Sequence, residues 1–81
     1  MKIKVFFFGY LSDLTGTNET VLEIAATDRL GDVVRRVKEH FPQLATMGNS
    51  VRFAINAEYG SEDLSLSEGD VLSFIPPVSG G

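Results

Sequence analysis

Thr27-Asp28-Arg29-Leu30-Gly31-Asp32-Val33-Val34-Arg35-Arg36-Val37-Lys38-Glu39-His40-Phe41-Pro42 is the stretch around which this chain of 81 residues organises itself. Leu30, Val33, Val34, Val37 and Phe41 stand at i, i+3, i+4, i+7 and i+11, one face of an amphipathic helix, while Arg35, Arg36, Lys38 and Glu39 fall outside that stripe. Thr27 or Asp28 offers a side-chain oxygen for the N-cap. Pro42 ends the helix. A single helix with one apolar stripe needs a sheet to cover it, and the flanking segments supply strands on both sides.

Upstream, residues 2–9 are β-branched and aromatic, with no breaker before Gly9. Period two puts Ile3, Val5 and Phe7 on one face and Lys4, Phe6 and Phe8 on the other. Tyr10 to Asn18 holds the turn formers Ser12, Asp13, Thr15, Gly16, Thr17 and Asn18 around Leu11 and Leu14, and is expected to be a loop. Glu19 to Ala25 alternates again, so the first two strands are expected to form an antiparallel hairpin. Downstream, residues 43–50 read as loop or a short helical turn, with Leu44 and Met47 plugging the edge of the core. Val51 to Asn56 is a third strand with Val51, Phe53 and Ile55 inward. Asn56 to Gly60 is a tight turn with a brief edge strand, Leu64 and Leu66 are apolar anchors, and Glu68-Gly69-Asp70 turns into a last strand, Val71 to Ile75. The result is an α+β domain, a mixed sheet with one main helix on one face. The order suggests a β-grasp (ubiquitin-like) roll with the first and last strands together at its centre. Residues 1–75 form the domain and residues 76–81 an extended C-terminal Gly-Gly tail.

Size and composition fit one soluble globular core, with 43% hydrophobic and 22% charged residues. No cysteine is present, which excludes disulfides, thiolate metal sites and thiol nucleophiles. The first residues lack a signal-peptide core and no stretch approaches a membrane span, so a cytoplasmic location with no membrane partner is expected. A net charge of −4 argues against a nucleic-acid partner. All seven bases lie in residues 1–54, and residues 55–81 carry five acids (Glu58, Glu62, Asp63, Glu68, Asp70) and no base. Either the tail-bearing end is steered toward a basic partner, or these acids are a solvated loop face.

Internal chemistry is sparse. His40 is the only histidine, best read as a surface or capping residue at a helix end. No ligand cluster, Gly-x-Ser-x-Gly elbow or phosphate-cradling loop occurs, so no bound metal or cofactor and no catalytic machinery of the chain's own are expected. If the last strand alternates, Leu72 and Phe74 face one way, and some of Phe6, Phe8, Leu72 and Phe74 are expected to form an apolar patch on the side away from the helix, a partner surface. A covering of these side chains by loops is the competing reading.

The tail is where chemistry concentrates. Pro76-Pro77 stops sheet pairing and projects the chain outward. Six residues, Pro76, Pro77, Val78, Ser79, Gly80 and Gly81, reach about 20 Å when extended. Gly80-Gly81 has no Cβ and fits a channel too narrow for other residues. A carboxylate on Gly81, taken as the terminus, is a poor electrophile and needs activation, for instance by adenylation.

The chain resembles the small subunits of molybdopterin synthase, ubiquitin-like sulfur carriers usually called MoaD. The resemblance rests on Ile3-Lys4-Val5-Phe6-Phe7-Phe8 with Leu11-Ser12-Asp13-Leu14-Thr15-Gly16, on Ile55-Asn56-Ala57-Glu58, on Leu66-Ser67-Glu68-Gly69-Asp70, and above all on Phe74-Ile75-Pro76-Pro77-Val78-Ser79-Gly80-Gly81. It implies that an E1-like adenylyltransferase uses ATP to adenylate Gly81, and that a sulfur donor converts the acyl-adenylate to a thiocarboxylate. The tail then threads, through Pro76 to Gly80, into the large synthase subunit, where two sulfurs build the dithiolene of molybdopterin in molybdenum cofactor biosynthesis. It further implies Phe8, Phe74 and Ile75 as partner-binding residues and a heterotetramer of two large and two small subunits. Phe8-Gly9-Tyr10-Leu11-Ser12 departs from the small and basic residues more usual in the family there. Two other readings stand beside it: a sulfur carrier for thiamine or cysteine synthesis, and a ubiquitin-like interaction module that carries nothing.

Overall fold

The computed structural model describes residues 1–48 and 50–77. Five strands, β1 (Lys2–Phe7), β2 (Glu19–Glu23), β3 (Arg52–Ile55), β4 (Glu58–Tyr59) and β5 (Val71–Ile75), form one sheet in the order β2-β1-β5-β3-β4. The first and last strands are parallel neighbours, with Val5 opposite Leu72 and Phe7 opposite Phe74; every other pairing is antiparallel. Because β5 lies between β1 and β3, the strand that leads into the tail is hydrogen-bonded on both edges.

The main helix, α2 (Leu30–His40), lays Leu30, Val33, Val34 and Val37 on one face of this sheet, and all four are buried. They meet Ile3, Val5 and Phe7 of β1, Leu72 and Phe74 of β5 and Ile55 of β3 in a single core. Each such side chain removed from water contributes about 1.5–3 kcal/mol. Phe7 and Phe74 are the hub: their rings lie 5.4 Å apart edge to face, Phe41 packs 5.3 Å from Phe7, and Phe53 packs 5.0 Å from Phe74. Such geometry satisfies the ring quadrupoles. A 3-10 turn, Pro42–Thr46, drives Leu44 into the core, and Met47 packs against its margin.

Three local expectations are corrected. The Tyr10–Asn18 loop contains a helix, α1 (Tyr10–Thr15), within the connection of the β1–β2 hairpin. Its turn-forming residues occupy one and a half turns because Leu11 and Leu14, three apart, both reach the core, and Gly16 closes the helix in the left-handed conformation (φ 79°) with its N–H on the Ser12 carbonyl. The α2 N-cap is Arg29, not Thr27 or Asp28. Asp28 instead accepts the Ala25 N–H at 2.8 Å and pairs with Arg36 at 3.0 Å. Asp32 takes the capping role, accepting the Arg29 backbone N–H at 3.0 Å, and that bond together with the Arg35 guanidinium holds its carboxyl below the usual carboxylate value. Finally, β1 stops at Phe7 rather than Gly9.

The β3–β4 turn is built by two consecutive residues in the left-handed region, Asn56 (φ 52°) and Ala57 (φ 71°), the pattern of a type I′ hairpin. Asn56 is fixed there by bonds to the start of the neighbouring strand, β5. Its Oδ1 accepts the Val71 N–H and its Nδ2 donates to Asp70, both at 3.0 Å, fixing the turn that launches β5. Ala57 makes no comparable bond, and its Cβ is strained there by about 1–2 kcal/mol. The substitution Ala57→Gly is expected to raise the thermal midpoint by a few degrees, since relieving that strain exceeds the roughly 0.5–1 kcal/mol that glycine loses in conformational freedom. A differential scan of the two proteins checks it.

Candidate functional site

β5 runs out at Ile75, and the described chain continues only through Pro76 and Pro77. Val78, Ser79, Gly80 and Gly81, the residues expected to thread and to carry the chemistry, lie outside the described residues. The structure therefore shows the platform from which they depart. On it, the Phe8 N–H reaches across to the Phe74 carbonyl at 3.2 Å, extending the parallel ladder by one bond beyond β1.

The sheet face opposite α2 is open. Register places Phe6 beside Ser73 and Lys4 beside Val71 on this side, with Arg52 beside Ile75 and Ala54 beside Ser73. Phe8 continues the alternation of β1, stacks on Phe6 with centroids 6.3 Å apart, and is 49% exposed. Val21 of β2 and Tyr59 of β4, 58% and 66% exposed, extend the face to both edges. The Arg52 guanidinium lies 5.3 Å above the Tyr59 ring, a cation–π contact at the rim. Phe8 and the half-buried Ile75, two of the three expected partner residues, are thus on one surface beside Pro76.

Phe74 does not join them. It is 0% exposed, as is Leu72, and both belong to the core beneath α2. The phase of β5 decides this: Phe74 stands opposite Phe7, so its side chain goes where that of Phe7 goes. Of the four candidates for the outer patch, Phe6 and Phe8 are on it and Leu72 and Phe74 are not; Ile75 joins them, with Val21 and Tyr59 flanking. Ser73 was the available signal. A hydroxyl between two large apolar residues marks the solvent side, which sends Leu72 and Phe74 inward.

The acidic segment is likewise redistributed by the fold. Glu58 pairs with Ile55, whose other neighbour is Leu72, near the start of β5. Glu68 and Asp70 occupy the turn immediately before that strand, and Glu62 binds the first turn of α2 through its carbonyl on the Gly31 N–H. The tail leaves at the other end, where Phe41, just past the close of α2, packs on Phe7 and where Arg52 is the register partner of Ile75. The acids close to the tail in sequence are therefore at the opposite pole of the sheet, and the residue paired with Ile75 is a cation, Arg52.

Among the described residues no group of three or more His, Cys, Asp or Glu side chains is placed to hold a metal ion. His40 is exposed and stacks edge to face on Phe41 at 5.0 Å. No described helix is long and apolar enough to cross a membrane.

The model of the ThiS family matches residues 5–81, nearly the whole chain and through its last glycine. The chain belongs to the ThiS family. Full-length relatives of this ThiS-family chain include the molybdopterin synthase sulfur carrier subunits of Escherichia coli strain K12, 34% identical with 98% of this chain and 99% of that protein covered, and of Chlamydomonas reinhardtii, 31% identical with both chains covered entirely. In three dimensions it superposes on SAMP1 from Haloferax volcanii with a TM-score of 0.91 at 21% identity over all of both chains. It also matches one chain in the structure of the complex of subunits 1 and 2 of the molybdopterin-converting factor from Helicobacter pylori 26695, with a TM-score of 0.74 at 24% identity over all of this chain and all of that one. These likenesses establish the β-grasp, ubiquitin-like fold of the family for this chain.

The two phenylalanines assigned to opposite faces should behave differently. Truncating Phe74→Ala is expected to cost about 3–5 kcal/mol, the range for emptying a packed aromatic site. Phe8→Ala, removing an exposed ring, is expected to stay within about 0.5 kcal/mol of the parent. Urea midpoints of the two variants measured side by side provide the check.

Proposed function

We propose that this chain is the sulfur carrier of a molybdopterin synthase, holding sulfur as a thiocarboxylate on Gly81. The observation that carries this reading is the end-to-end match to sulfur carrier subunits in a chain whose tail grows from the central strand of its sheet. Such a tail is rooted in the most protected part of the fold and projects from it through two prolines.

The reaction sequence follows from the weakness of a carboxylate as an electrophile. A carboxylate oxygen of Gly81 attacks the α-phosphorus of ATP, pyrophosphate leaves, and an acyl-adenylate forms. Hydrosulfide then adds to the carbonyl carbon, AMP departs and the remaining S–H proton is lost, leaving the thiocarboxylate. ATP is assigned to the E1-like activating partner, since the sequence has no phosphate-cradling loop. The large synthase subunit accepts the loaded tail, and the outer face with Phe8, Phe6 and Ile75 docks against it. A surface of exposed aromatic rings with Arg52 and Tyr59 at the rim has the composition of a protein interface. The fold of the Helicobacter pylori converting-factor complex, which joins subunits 1 and 2, supports a two-subunit assembly, for which the expected form is a heterotetramer. The cytoplasm, where ATP is available, is the compartment that suits this chemistry.

Incubation with the E1-like enzyme, ATP and a sulfur source is expected to make the intact protein heavier by the difference between one sulfur and one oxygen atom. An unchanged mass under conditions that load an established carrier would falsify the carrier reading. Deleting Gly81 is expected to abolish loading, because it removes the reacting carboxylate, and to leave the denaturant midpoint unchanged, because the buried core is complete at Phe74.

A further inference from the structure

Gly9, between β1 and α1, has φ 58° and ψ −139°, a conformation essentially confined to glycine. Its surroundings hold it there. The preceding N–H, of Phe8, donates to the Phe74 carbonyl, the Leu11 N–H donates to the Phe8 carbonyl, and the Gly9 carbonyl accepts both the Ser12 N–H at 3.2 Å and the Ser12 hydroxyl at 2.9 Å. A Cβ placed on Gly9 falls 2.8 Å from Cγ of Pro76, with Cδ and Cβ of the same ring at 3.8 and 3.9 Å. The bare side of Gly9 is the seat of the first residue of the tail.

We propose that Gly9 is a positioning residue for the carrier reaction: its missing side chain seats the Pro76 ring and so fixes the direction in which the tail leaves the domain. This rests on the carrier reading for its consequence, though not for its geometry. A flexible side chain would rotate away from an intruding methyl. A proline ring is closed onto its own backbone nitrogen, so beyond the small excursion that a change of pucker gives Cγ, Pro76 yields by moving the main chain. Pro77 follows and carries the new direction onward, because consecutive prolines hold a stiff extended course. A tilt of about 15° at Pro76 moves the end of the following five residues, about 17 Å when extended, by about 4 Å. A misplacement of about 1 Å at a reacting centre is enough to cost on the order of 100-fold in rate. Phe8 and Ile75 meanwhile keep their places on the sheet, so docking of the domain is separable from delivery of its end.

The test is a double-mutant cycle of Gly9→Ala, Pro76→Ala and the pair, read in two ways. The chain has no cysteine, so Ser79→Cys takes a single nitroxide whose paramagnetic broadening of backbone amides reports where the tail points, whatever the tail is for. Gly9→Ala and Pro76→Ala are each expected to change the set of broadened amides. In single-turnover sulfur transfer from the loaded carrier, Gly9→Ala is expected to lower kcat on the order of 100-fold with KM for the large subunit nearly unchanged. Adding Pro76→Ala is expected to recover part of that loss. Backbone strain at residue 9 is common to Gly9→Ala and the pair, so recovery in the pair does not come from stability. Should Gly9→Ala fail to fold, Pro76→Ala alone decides through its broadening pattern. Broadening that matches the parent in Pro76→Ala, or kcat losses that simply multiply in the pair, overturns the proposal. Absence of loading in the parent protein sinks the carrier reading instead, and leaves the broadening result to judge the seat.

Discussion

The parallel pairing of β1 with β5 is the constraint on which the rest of this structure depends. Val5 opposite Leu72 and Phe7 opposite Phe74 join residues almost seventy positions apart, and that register alone sets which side of β5 enters the core. Parallel neighbours require a crossover between them, and α2 lies on that crossover with its apolar stripe against the sheet. Register, helix placement and the aromatic hub around Phe7 and Phe74 are therefore one arrangement seen from three sides. None of them is retained if the pairing slips by a residue.

Much of this was legible beforehand, for reasons particular residues make plain. The 3.6-residue spacing of Leu30, Val33, Val34 and Val37 is long and regular enough to fix a helix, and the alternation of Ile3, Val5 and Phe7 has only one apolar reading. Where two rules competed, the local one misled. Ser12, Asp13 and Thr15 are turn formers by composition, yet Leu11 and Leu14 have a place in the core and Gly16 terminates the turn they make, so tertiary packing overrides propensity. Asp28 is a good capping residue that is occupied elsewhere, by Ala25 and Arg36.

The chemistry expected of Val78 to Gly81 rests on the sequence alone, since those residues lie outside the described ones, whereas the surroundings of Pro76 and Pro77 needed the fold. What surrounds the root is a matter of register and could not be read from neighbours in sequence. Phe74 adjoins Ile75 in the chain and faces the other way. The acids of residues 58–70 precede the tail closely in the chain, yet the length of β5 separates its base from Glu68 and Asp70. Gly9 is nearly seventy residues from Pro76 and touches it, a contact that no period or motif encodes.

A tail anchored this way also has mechanical properties. β5 is bonded to β1 along one edge and to β3 along the other, and it lies at the middle of the sheet. A pull on the chain beyond Ile75 acts along the strand, so it loads two ladders in shear, with many bonds sharing the force at once. An edge strand would instead be peeled away, one bond after another. Under a load applied beyond Ile75, the strand that bears it therefore stays in register.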